Sequence, residues 1–140
     1  MFSVHSGYVY EFQNQDRNGK SLIRGDSSME SKVKVDAGIC GFKTVIKASS
    51  EDGMNVELKV VSSCDTIKEL TSRFKEKTPI DAYQELSPKK ESIILEISRS
   101  VLVQKGCCEA CVVPAAVCKA IQVVAGLALP QDVTLKISKQ

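Results

Sequence analysis

The chain has 140 residues, 43% hydrophobic and 26% charged, with a formal net charge of +2. That length and balance suit one domain that buries a core without cross-links, and they exclude a disordered or collagen-like chain. With four Phe, three Tyr, no Trp and no basic run, nucleic-acid binding is not expected.

Residues 1–31 read as a loosely ordered extension, because "QNQDRNGKS" and "RGDSSMES" are polar and rich in turn formers. Within it only Tyr8 to Phe12 has strand character, and the chain's one histidine, His5, lies here. The tripeptide Arg24 to Asp26 matches an adhesion motif, which coincidence explains, and Met29 is placed to serve as an internal start. Residues 1 to 20 contain Glu11 and Asp16 and no apolar run, so they are no secretory signal. The expected location is therefore cytoplasmic, where thiols stay reduced.

Residues 32–140 read as a single α+β domain. Val33 and Val35 alternate with lysines, which is the period of a half-buried strand. A Gly-bearing turn over Asp36 to Gly41 leads into a second strand, "FKTVIKA". "SSEDG" then makes a hairpin turn, and Val56, Leu58 and Val60 mark one face of a third strand. These three strands form an antiparallel meander. The period then changes, since Ile67, Leu70 and Phe74 share a helical face. Thr66 and Glu69 are spaced as a capping box, and Pro79 ends this helix. "PIDAYQEL" is a short helix. "SPKKESIILEISRSVLVQ" is read as helix from the spacing of Ile93, Ile94, Ile97 and Val101, with Ser87 and Pro88 at its start, although its β-branched content also suits a strand. Pro114 to Ala125 is a buried helix stopped by Gly126. The alternating "VTLKISK" predicts a final, C-terminal strand, with the helices packed on one face of the sheet. Lys119 interrupts the apolar run from Ala110 to Pro130, so no membrane span is expected.

The cysteines fall at chain reversals. Cys40 lies in the first Gly-rich turn, Cys64 where the third strand meets a helix, and Cys107, Cys108 and Cys111 just before the buried helix. Helix N-termini carry partial positive charge, which favours thiolate at Cys64 and Cys111. With no histidine in the body, a metal site there must be built of sulfur, with at most a carboxylate. Such a donor set suits zinc or an iron–sulfur cluster. The candidate ligands are Cys40, Cys64, Cys108 and Cys111; of the vicinal pair Cys107 and Cys108 one is a spectator, because adjacent residues do not readily aim into one site, and the role of Cys107 stays open. Cys118, inside the apolar helix, reads as core. Glu109, Asp36 and Asp65 stand near the cysteines, but each also reads as a solvated charge, Asp65 assisting the helix start. Two other readings stay open: a thiol–disulfide redox protein using Cys108 and Cys111, and a non-catalytic interaction domain with structural cysteines. A classical enzyme is not indicated, because neither a P-loop nor a G-x-G-x-x-G is present. A protein partner of unspecified kind is expected.

Two resemblances attach to these residues. "VDAGICGF", "SSC", the C-x-V-P run at Cys111 to Pro114 and "GLALPQDVTLKI" are similar to a family of short proteins from archaea and anaerobic bacteria that implies no activity. The cysteine layout resembles NifU-type iron–sulfur scaffold proteins, with Cys40, Cys64 and Cys111 matching their three cysteine stations. That resemblance implies cluster or metal binding in a scaffold or carrier role. It departs from the scaffold pattern at Phe42, where the scaffold has Asp, at Asp65, where it has Gly, and in the added C-terminal strand.

Overall fold

The structure, a computed structural model, describes residues 28–140. The strand expected over Tyr8 to Phe12, His5, the Arg24 to Asp26 tripeptide and most of the 1–31 extension lie outside the described residues. The meander is as the alternation demands. Strand β1 (Met29–Asp36) pairs antiparallel with β2 (Lys43–Ser50), and β2 pairs antiparallel with β3 (Asn55–Ser62). On the inner face Ile46, Ala48, Val56, Leu58 and Val60 are buried. On the outer face Lys32, Lys47 and Lys59 stand opposite one another across three strands. Like charges in direct cross-strand register repel, so this face is held to solvent while the other is held to the core. The first strand begins at Met29, inside the stretch read as extension. Buried Ser31 is part of the core, its Oγ donating to the carbonyl of Ala120 at 2.7 Å.

The β2–β3 turn is built around Asp52. Its carboxylate accepts from the backbone N–H groups of Asn55 at 2.7 Å and Met54 at 2.8 Å, and from the Asn55 side chain at 2.8 Å. These bonds, the Asn55 backbone N–H foremost, hold the Asp52 carboxyl far below the usual carboxylate range.

Four helices cover the inner face: α1 (Asp65–Lys77), α2 (Ala82–Leu86), α3 (Ile93–Lys105) and α4 (Val113–Val124). Helix α1 lies on β3 and α4 lies on β1 and β2, with α3 against α1. Ile67, Leu70 and Phe74 of α1 are buried, as are Val113, Val117, Ala120, Ile121 and Val124 of α4, as their spacing predicted. Buried Glu85 joins α2 to α3. Its carboxylate accepts from the Ser92 hydroxyl and from the N–H groups of Ile93 and Ile94, at 3.1 and 2.9 Å. Three donors at the start of α3 thus satisfy the buried side chain.

The α+β class and the antiparallel meander stand, with corrections at the ends of elements. The fourth strand is not C-terminal. It is the two-residue β4 (Ile80–Asp81), paired antiparallel with Asn55 and Val56 at the far edge of the sheet. The predicted C-terminal strand "VTLKISK" forms no strand, and Val133, Leu135 and Ile137 are exposed. Alternation states which face a strand would bury and supplies no neighbour to pair with. Thr66 and Glu69 form no capping box either. Cys64 is the N-cap residue without a side-chain cap bond, which puts Thr66 inside the first turn and frees Glu69 to pair with Lys105 at 3.0 Å. Helix α3 starts at Ser92, not at Ser87, because Ser92 and Glu85 together satisfy its first N–H groups. Helix α4 is only 12 residues long, and among the described residues no helix is long and apolar enough to cross a membrane.

Phe74 is fully buried at the centre of the α1 face, so Phe74→Ala should lower unfolding free energy by about 3–5 kcal/mol, read from urea titration. The pH dependence at Asp52 has a definite sign. Its folded pKa lies below the ordinary aspartate value of 3.8, so the stability it contributes is full above that value and is lost as pH falls further. The melting temperatures of the parent and Asp52→Ala should therefore differ at neutral pH and converge in acid.

Candidate functional site

The meander register brings two cysteine stations to one end of the sheet. Thr44, at the start of β2, faces Ser62, at the end of β3, and their hydroxyls share a hydrogen bond of 2.8 Å. Backbone bonds extend this pairing one step further: Ser63 N–H donates to the Lys43 carbonyl at 3.1 Å, and Lys43 N–H donates to Ser63 Oγ at 3.1 Å. Cys64 follows directly, with its N–H on Ser62 Oγ at 3.1 Å and its carbonyl accepting from Lys68 in the first turn of α1. Cys40 closes a short 3-10 turn, Gly38–Cys40, between β1 and β2. Gly38 and Gly41 flank it with φ of +67° and +74°, a left-handed conformation that side chains disfavour. A Cβ added at either glycine would meet nothing within 4 Å, so the turn stands in open space.

The third station reaches the same end through α3. Lys105, in its last turn, binds Glu69 of α1, and Arg99 binds Glu109 at 3.1 Å. Between these ties the chain turns at Gly106 and enters residues 107–111. Cys107 Sγ lies 3.2 Å from Thr66 Oγ1, over the first turn of α1. Cys111, half-buried, precedes α4. Its thiol is pushed up chiefly by burial, against a lowering hydrogen bond from the Val113 N–H, and further by the neighbouring sulfurs of Cys64, Cys40 and Cys107. Cys40, Cys64 and Cys107 thus lie near enough to act electrostatically on Cys111. Cys108 is exposed and is not among the groups that shift Cys111. Sequence spacing pointed to Cys108 because of its C-x-x-C separation. The signal for Cys107 was tertiary, the Thr66 hydroxyl across from it.

The expected activation of Cys111 by a helix N-terminus is outweighed by desolvation, since the neutral thiol is the favoured form in partly apolar surroundings. The carboxylates nearby are engaged with cations. Asp36 pairs with Lys43, which holds its carboxyl below the ordinary range, and also accepts from Gly38 N–H. Asp65 pairs with Lys68 at 3.3 Å and Glu109 with Arg99. All six cysteines are free thiols. Cys118 lies apart from the group. Burial, with a smaller push from Glu85, raises its thiol to about 11, and it packs against the core as a small hydrophobe. Among the described residues no group of three or more His, Cys, Asp or Glu side chains is already spaced to hold a metal ion.

No curated protein and no solved structure matches the chain. One family model does, over residues 31–137, from the third residue of β1 to the far end of the C-terminal segment. By that match the chain belongs to the family of unknown function DUF6951.

Proposed function

We propose that this protein binds a soft metal ion or an iron–sulfur cluster through cysteine thiolates, in a scaffold or carrier role. The observation that supports it is that the thiols of Cys64, Cys40 and Cys107, remote in sequence, each add to the burial that raises the Cys111 thiol. Crowded thiols resist ionisation because each new thiolate repels the others. A cation among them reverses that sign, since a coordinating thiol is deprotonated outright. With no histidine among the described residues, the donor set is sulfur, which suits zinc, iron–sulfur clusters or copper(I). Cys40, Cys64 and Cys111 are assigned as ligands. Cys107 is the fourth donor by position, and Cys108 the alternative fourth by spacing.

The sulfurs reach ligand spacing through movement of two short exposed reversals, the 3-10 turn at Gly38–Cys40 and residues 107–111. The sheet and helices stay fixed. A site assembled by its ion in this way suits cargo that is received and passed on better than it suits a permanent structural ion. Ile39, fully exposed at the tip beside Cys40, and Phe42, partly exposed, offer apolar contact to the protein that would deliver or receive it. The resemblance of the cysteine spacing in the sequence to NifU-type scaffolds is in keeping with this reading.

Anaerobically prepared protein should carry iron and sulfide, or zinc, at close to one site per chain by elemental analysis and absorption. Cys40→Ser, Cys64→Ser and Cys111→Ser should each lower that content several-fold while Cys118→Ser leaves it intact. Comparison of Cys107→Ser with Cys108→Ser identifies the fourth donor. A protein that takes up neither metal under these conditions, or a Cys40→Ser variant that binds as the parent does, would falsify the proposal. The pH response has a definite sign as well. The Cys111 thiol is held above its ordinary 9.0, so it is protonated at neutral pH and must lose its proton to bind. Apparent zinc affinity should therefore rise with pH, roughly tenfold per pH unit for each proton displaced, and competition with a chromophoric chelator at stepped pH measures it.

A further inference from the structure

We propose that residues 132–138 of one copy add as an antiparallel strand to the outer edge of β1 in a second copy, and that reciprocal exchange makes a two-fold dimer. The proposal needs none of the cysteines.

The segment has the pattern of a strand and none of its bonds. Val133, Leu135 and Ile137 are 66%, 68% and 93% exposed and alternate with Thr134, Lys136 and Ser138. A run of this kind alone in water exposes one apolar face for no return. The matching vacancy is on the same chain. Among the described residues β1 pairs only with β2, so its other edge presents unpaired N–H and C=O groups. Val33 and Val35 point to the core side yet are only half-buried, and among the described residues no strand lies beyond them. Lengths agree: seven residues span about 23 Å and the eight of β1 about 26 Å, at roughly 3.3 Å per residue.

Charge fixes the register. With Val133 opposite Val33, Leu135 falls opposite Ser31 and Ile137 opposite Met29, which extends the apolar inner face. On the outer face Asp132 then meets Lys34, Thr134 meets Lys32 and Lys136 meets Glu30. Both charged pairs are of opposite sign, the favourable cross-strand case. A slip of two residues one way sets Asp132 against Asp36 and Lys136 against Lys32. A slip the other way leaves Lys136 opposite neutral Ser28. A parallel arrangement would pair Asp132 with Lys32 and Lys136 with Asp36, but Asp36 is already bound to Lys43 and to Gly38 N–H. In the structure the segment does not lie on β1 of its own chain, so the occupant of that edge is a second copy. Each copy supplies one strand and one edge, and the exchange closes with neither left over.

Light scattering on the full chain at micromolar concentration should report a dimer, and Leu135→Pro should convert it to a monomer with the meander intact by circular dichroism. Asp132→Lys should weaken dimerisation by about tenfold, since two pairs turn repulsive, and adding Lys34→Asp should restore it. A full chain that stays monomeric at high concentration overturns the proposal. So does a dimer indifferent to Leu135→Pro, including one lost only when residues 1–27 are removed. Restoration by Lys32→Asp in place of Lys34→Asp would mean the parallel arrangement and overturns the stated register.

Discussion

The pairing of Thr44 with Ser62 is the constraint on which the candidate site depends. Strand register moves in steps of one residue, and each step turns every side chain to the other face. With one face committed to the core, a one-residue slip of β2 against β3 is excluded, and the register formed sets Thr44 opposite Ser62. That register places the turn before β2 and the exit from β3 at the same end of the sheet. Cys40 and Cys64, 24 positions apart (64 − 40), are brought to the same end of the sheet by sheet geometry and not by any attraction of their own.

The helices add the rest by the same economy of contacts. Helix α1 leaves β3 at Cys64 and lies back on it, so its first turn stays at the cysteine end. Helix α3 packs against α1, with Lys105 bound to Glu69, so the turn that follows delivers Cys107 to Thr66. Helix α4 then begins one residue past Val112 and crosses to β1, where Ser31 holds the Ala120 carbonyl. Burying Val117, Ala120 and Ile121 fixes where α4 lies, and Cys111 comes with it. The rigid parts are apolar and the reactive atoms sit on the reversals between them, which leaves the reversals free to move without cost to the core.

The thiol group and the exposed C-terminal segment have a common character. Each is unsatisfied among the described residues: thiols that act on one another without forming a metal-ready group, and an alternating segment without a sheet. The proposed cation and the proposed second copy would each complete one of them.

Local pattern was enough for the interior of the elements. Val56, Leu58 and Val60 on one face, Ile67, Leu70 and Phe74 on another, and the buried helix after Pro114 follow from periods of two and 3.6 residues. The three cysteine stations were also legible, because glycines and element junctions mark chain reversals. Element ends were not. Where α3 starts depends on which group takes its first N–H groups, and Glu85 takes those of Ile93 and Ile94 only once the fold exists, while α1 is capped at Cys64 with no side-chain bond at all. Likewise, that Cys107 stands beside the Thr66 hydroxyl, 41 positions away, is visible only in the fold. The "VTLKISK" alternation was correct as a preference and wrong as an element, since a strand is a relation between two segments and its partner edge lies outside the segment itself.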